Sequence, residues 1–365
     1  MIKLRAITAF NQTNKDWKSI LRDAGFKSRT WRYSVWFAPV ANNYCADIWL
    51  DTAGWTCASY DDFECLSRFK NTFRHLRTDL STIKDAAQLL QSTSGLEGFQ
   101  VGASFNMKPY SPFFPFSYGE DSGISIGLEL CGWLCEQVRG RSRVPLNLLQ
   151  QQIAKFLAAR LAEIERMFPT DKLPFLGFDL SVAPYPYPIE QQSVAELFEL
   201  IGNIGIARSV KPYRYGDPGT IAVNRWLTTT IKLAGKLAQV ATVGFNGVMH
   251  SPLEDQLMGE RMAQGVCSVA TLQALSTTCG VGLDMIAIEQ RGDRTTAIES
   301  WLLDTAALSA AMNNKPLGVR LLRVPGDPGD ETLFEHEYIA NTAIQRASRG
   351  IGWLGLPNQS QRINL

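Results

Sequence analysis

The feature that most constrains this chain is the alternation in its second half between short apolar runs of strand length and longer runs with helical spacing. Residues 175–182 (FLGFDLSV) read as a buried strand, and 193–201 as a helix opened by Ser193 with Glu196 three residues on, a capping-box signature. A helix over 220–237, a strand over 239–245 and a helix over 253–264 follow. Then come helical turns over 269–277, a strand over 283–288, a helix over 295–312 and a strand over 316–323. Repeated strand–helix alternation favours a largely parallel sheet with helices outside it.

The first half is compatible with the same class. Residues 3–10 read as a strand, 15–24 as a helix stopped by Gly25, and 30–38 (TWRYSVWFA) as an aromatic strand before Pro39. Strands over 48–58 and 99–105 flank a helical region over 59–92. Helical spacing recurs over 128–138 and 146–167, where Leu149, Ile153, Phe156, Leu157, Leu161 and Ile164 form the clearest apolar stripe. The one sharp change of composition, at 110–125, is a loop dense in proline, glycine, serine and aromatic residues. It is embedded rather than hinge-like, so residues 1–365 read as a single domain.

With 45% hydrophobic and 19% charged residues, the chain is suited to a well-buried core. Its 36 basic and 35 acidic side chains nearly cancel, leaving no global field for a nucleic acid or an anionic membrane. No apolar run reaches membrane-span length, and the opening MIKLRAITAF is too short for a signal peptide. Seven scattered cysteines suit a reducing compartment, so the expected location is the cytoplasm. Cys131 and Cys135, four apart in CGWLC, read as buried thiols on one helix face; as a zinc half-site they lack a second pair.

Three segments could carry chemistry. In VGFNGVMHSPLED (243–255), a strand ends at two glycines and a helix cap follows. Glu254 and Asp255 there either offset the helix dipole or present carboxylates to a ligand or a divalent cation. His250 is a candidate proton shuttle. In CGVGLDMIAI (279–288), Cys279 stands on a tight turn as a candidate nucleophile, and Asp284 lies in an apolar strand where a carboxylate needs a partner. Arg320, inside LGVRLL, is its natural counter-charge, with Lys315 at that strand's entrance. A structural ion pair and an anion-holding site are the two readings. In the third segment, YSPFFPFSYG, residues Ser111, Phe113, Phe114 and Tyr118 form either plain hydrophobic closure or a wall of a substrate pocket. No nucleotide or flavin motif is present.

These segments, in this order with IKLRAITAF, IGLE (126–129), FDLSVAPYP, SVAELFE and KPLGVRLLRVPG, resemble a family known as domain of unknown function 711. The resemblance covers most of the chain. It implies a pyruvate formate-lyase-like fold, a ten-stranded α/β barrel with helices outside, and would set Cys279 near the barrel interior. The glycyl-radical motif of such enzymes, R-V-x-G-[YF], is not matched by the C-terminal ASRGIGWLGLP, so the resemblance implies the fold without the radical. The expected function is an enzyme acting on a small polar, anionic metabolite by acid–base, thiol or metal-assisted chemistry. Cys279, His250 and Asp284 would be catalytic, and Arg320 and Lys315 would hold the substrate. The alternative is a catalytically silent small-molecule-binding protein on the same scaffold. A homo-oligomer is compatible with either.

Overall fold

The computed structural model describes residues 3–10, 32–36, 54–61, 72–119, 121–141, 143–167, 174–186, 192–205, 211–348 and 350. Among them nine strands form one mixed sheet: β1 (Lys3–Phe10), β2 (Arg32–Trp36), β3 (Gly54–Tyr60), β4 (Phe73–Arg77), β5 (Val101–Phe105), β6 (Gly123–Glu129), β7 (Phe175–Asp179), β8 (Gly282–Glu289) and β9 (Leu317–Val324). Their spatial order is β7-β6-β1-β2-β3-β4-β5-β9-β8. Strands β1 to β5 run parallel to their neighbours, whereas β6 is antiparallel to β1 and β9 antiparallel to β5. Parallel pairing resumes beyond each junction, β7 on β6 and β8 on β9. The sheet thus has a parallel centre and two flanks running the other way.

Every residue of β5, β8 and β9 is buried, as expected of strands covered on both faces. Along β8, Leu283, Ile286 and Ile288 join the core under the helices, while Met285 and Ala287 join a second apolar cluster on the opposite face with Phe10, Phe73, Phe99 and Leu322. The helix-side core is supplied by α1 (Ile83–Ser92), α3 (Leu130–Val138), α4 (Leu146–Met167), α5 (Val194–Gly202), α6 (Thr220–Ala238), α7 (Gln256–Ala263), α8 (Val269–Cys279) and α9 (Thr295–Ala311), with the short α2 (Leu96–Phe99) beside β9. Ser193 caps α5 as its spacing predicts, accepting from the Glu196 N–H. Cys131 and Cys135 are buried in α3, the Cys131 thiol pushed well up by its hydrogen bond to Cys135 and by burial.

Three expectations change. The helical region over 59–92 contains a strand, β4, and its sequence FRHLR hides this because Arg74 and His75 are buried with partners. β6 occupies residues expected to be loop and helix. The strand over 239–245 is replaced by one isolated parallel bridge to β7, Phe178 with Thr242, and a second bridge lies just beyond both segments, Val182 with Val248. Continuous pairing fails because Gly244 and Asn246 take positive φ, 67° and 49°, around the Asp179 carboxylate. That carboxylate accepts from Phe245 N and Asn246 N at 2.9 and 3.0 Å. A Cβ on Gly244 would stand 2.2 Å from it, so only glycine fits. The helix expected over 15–24 lies outside the described residues.

Candidate functional site

Two strands break register where they carry charge. In β1, Leu4 pairs with Leu128 and Ala6 with Gly127, so Arg5 is an extra residue with no partner opposite. In β8, Leu283 pairs with Val319 and Ile286 with Leu321, so Asp284 and Met285 together oppose Arg320. Met285 takes φ of 56°, a conformation that strains a non-glycine residue. Bulges of this kind re-aim side chains and gather beside binding sites. Here both aim at one place on the face opposite the main helix-side core.

That place holds two guanidinium and two carboxylate groups. Arg320 grips Asp284 with both ends of its fork, Nε to Oδ1 at 2.6 Å and Nη2 to Oδ2 at 2.9 Å. Ser251 donates a further hydrogen bond to Asp284 Oδ2 at 2.7 Å. Glu254, on the 3-10 turn Pro252–Glu254, lies between the two arginines, 3.3 Å from Arg320 Nη2 and 4.0 Å from Arg5 Nη2. Arg5 is fixed by donating to the carbonyls of Ala183 and Pro184 at 3.1 and 2.7 Å. Burial works against the Arg320 charge, but Asp284 and Glu254 outweigh it and raise its pKa. Arg320 therefore stays a cation.

Beside this quartet lies a cavity of about 70 Å³. Its walls are the rings of Phe73, Phe99, Phe113, Phe114, Phe116, Phe245, Tyr185 and Tyr338, and Arg5, Glu254, Asp284 and Arg320 reach it. A water occupies roughly 10–15 Å³ by a comparable measure, so the space suits a molecule of a few heavy atoms. The aromatic loop enters the interior because strand glycines admit its rings. A Cβ on Gly102 or Gly318 would lie 2.6 Å from the Phe116 ring, and one on Gly127 2.7 Å from Phe113.

The structure brings together Asp284, Arg320, Glu254, Phe113 and Phe114 among the residues singled out by sequence. His250, Lys315, Asp255, Ser111 and Tyr118 do not line the cavity. His250 is buried between Tyr215, whose hydroxyl is 2.8 Å from Nδ1, and Asn224, whose Oδ1 is 3.3 Å from Nε2. Burial, then Lys315, lowers its pKa to about 3, so it is neutral and serves to lock α6 against the 243–250 segment. Lys315 donates to the Ser276 carbonyl at 2.6 Å. Asp255 caps α7 by accepting from Met258 N, and also accepts from Ala195 N in α5 and from the Oγ of Ser193, the residue that caps α5. Ser111 is buried and accepts from Phe113 N, and Tyr118 donates to the Met107 carbonyl under Arg77. Cys279 ends α8; its side chain lies outside the described residues. Among the described residues, no group of three or more His, Cys, Asp or Glu gathers as a metal cluster. No helix among them is long and apolar enough to cross a membrane.

Sequence reasoning missed Arg5, Phe73, Phe99, Tyr185, Phe245 and Tyr338, while Phe116 lies in the aromatic loop it singled out. Arg5 carried a usable signal, a charge flanked by apolar residues inside a strand, the same one that marks Arg320. The missed rings carried none, since they come from separate segments.

Residues 73–337 match the family described as Uncharacterised ACR (DUF711). Relatives include a UPF0210 protein of Pyrobaculum aerophilum, 30% identical over 261 residues, which covers 69% of this chain and 55% of that protein. Another, from Syntrophobacter fumaroxidans, is 30% identical over 283 residues, covering 74% of this chain and 59% of the relative. The chain therefore spans little more than half the length of the relatives it matches.

Proposed function

The chain belongs to the DUF711 family, and on that premise we propose that it is an enzyme acting on a small organic carboxylate bound beside Arg5 and Arg320. The observation that carries this reading is the convergence of two β-bulges, at Arg5 and at Asp284–Met285, on one aromatic-walled cavity. Buried charges and a strained backbone are costly to keep where nothing is bound. The rings would enclose the apolar part of the ligand and the guanidinium groups its anionic end. Glu254, set against both arginines, is the group in reach to move a proton.

We further read the sheet as closing into a ten-stranded barrel of the pyruvate formate-lyase type, with 241–249 as the tenth strand between β7 and β8. Support comes from its bridge to Phe178 of β7, its bridge to Val182 just beyond β7, and the bond from the following Ser251 to Asp284 of β8. The cavity would then lie inside the ring. A cytoplasmic location is part of the same reading.

Calorimetric titration with acetate, propanoate and butanoate tests it. We expect saturable 1:1 binding of at least one, with Kd of about 1 mM or tighter. Arg5→Gln should weaken it about tenfold or more, consistent with loss of a charge-assisted contact. A complete absence of binding across the panel removes the carboxylate reading. The second reading, a catalytically silent binding protein, is favoured by His250 and Asp255 being fully engaged away from the cavity. It predicts binding with no conversion of any bound acid followed by proton NMR.

A further inference from the structure

The charged quartet has a property that depends on counting. Among the described residues, Arg5 and Arg320 supply two positive charges, and Asp284 and Glu254 two negative ones. The two carboxylates are not equivalent. Asp284 has both oxygens in the Arg320 fork and a third bond from Ser251, and its side chain is 3% exposed. Glu254 is held at longer range, 3.3 and 4.0 Å, and its side chain is 13% exposed. It touches the same cavity. A ligand carboxylate entering beside the arginines would put three anions against two cations in a buried site. A buried charge left without a partner is strongly disfavoured, and a carboxylate in that position takes up a proton instead.

We propose that Glu254 is a resident stand-in for the ligand's own carboxylate, displaced from the arginines when the ligand arrives and protonated from solvent as it leaves them. This rests on the carboxylate-binding reading above. No bond to carbon forms or breaks: one proton is taken up per ligand, and the site returns to two positive and two negative charges. Among the described residues, the groups facing Glu254 include Arg5 from β1, Arg320 from β9, Asp284 from β8, and the phenols of Tyr185 and Tyr338 across the cavity. His336 stands behind, its ring centroid 5.5 Å from Phe99 and 5.6 Å from Tyr338. A neutral Glu254 beside a bound acid is a proton donor in place, so the exchange both admits the substrate and arms the site.

The test is titration of the full chain with propanoate, or whichever panel acid binds tightest, in two buffers of different ionisation enthalpy at pH 7 and pH 8. We expect uptake of about one proton per ligand and affinity about tenfold weaker at the higher pH. Glu254→Gln should bind with no proton uptake, lose the pH dependence, and exceed the unaltered chain in affinity at pH 8. Uptake that persists in Glu254→Gln places the proton elsewhere, His336 being the nearest alternative, and overturns the proposal. Tight binding by the unaltered chain with no proton uptake also overturns it while leaving the carboxylate reading intact. No binding by any acid overturns both. The count of protons on the unaltered chain stands even if the variant fails to fold.

Discussion

Arg320 and Asp284 face each other across β9 and β8 with every strong donor and acceptor between them used. A buried ion pair of this kind contributes little by existing and costs a great deal to break, because the survivor is left charged in an apolar setting. Arg320→Met should therefore destabilise the fold by about 3–5 kcal/mol in urea unfolding. The double change Arg320→Met with Asp284→Leu should recover most of that loss, since two apolar side chains of similar bulk need no counter-charge. If the single and double variants unfold at the same urea concentration, the pair is not coupled in the way its geometry implies. The pair was legible in the sequence, because a charge in an otherwise apolar strand demands an opposite one. Glu254 was legible only as a carboxylate in a helix's first turn. Which of its two roles it plays depends on Arg5, some 250 positions away in the chain, and no local pattern carries that information.

Among the elements, α5 and α7 are tied to one carboxylate. Asp255 is the N-cap of α7 and also accepts from Ala195 N in the first turn of α5, whose own cap is Ser193. Burial pushes its pKa up, opposed by those hydrogen bonds. A lost cap costs about 0.5–2 kcal/mol and a lost hydrogen bond about 1 kcal/mol, so Asp255→Ala should cost about 1–3 kcal/mol by urea unfolding. A loss below about 0.5 kcal/mol would mean that other groups satisfy both helix ends. The long helices α4, α6 and α9 were legible from apolar spacing alone, as were β8 and β9 from short, mostly apolar runs each broken by a charge. β4 was not, since Arg74 and His75 make its sequence look like a surface while both are buried. Nor was the break in the strand before Asn246, whose cause is a carboxylate on a neighbouring strand rather than anything within the segment.

For the molecule as a whole, the buried neutral histidines set the response to acid. Burial, then Arg77, lowers the His75 pKa to about 3, and burial, then Lys315, does the same for His250. Unfolded histidine titrates near 6.5, so below that pH the unfolded chain binds protons that the folded chain refuses. Each histidine's stabilisation is thus complete above about pH 6.5 and is lost as pH falls toward 3, roughly 2 kcal/mol apiece by pH 5. Asp179 and Asp255, raised by burial, carry the opposite sign and are lost as pH rises through their folded values. Melting temperature should fall from pH 7 to pH 5, and His250→Gln should flatten that slope; a flat profile in the unaltered chain would contradict the assignment. The fit of Phe116 against Gly102 and Gly318 has a different kind of consequence. Ring and glycine are a single historical unit: neither can change alone, because any side chain on the strand must be matched by a smaller residue in the loop. Relatives with alanine at the position of Gly318 should accordingly carry something smaller than phenylalanine opposite it. Lineages can then resize the chamber in paired steps while its charges stay where they are.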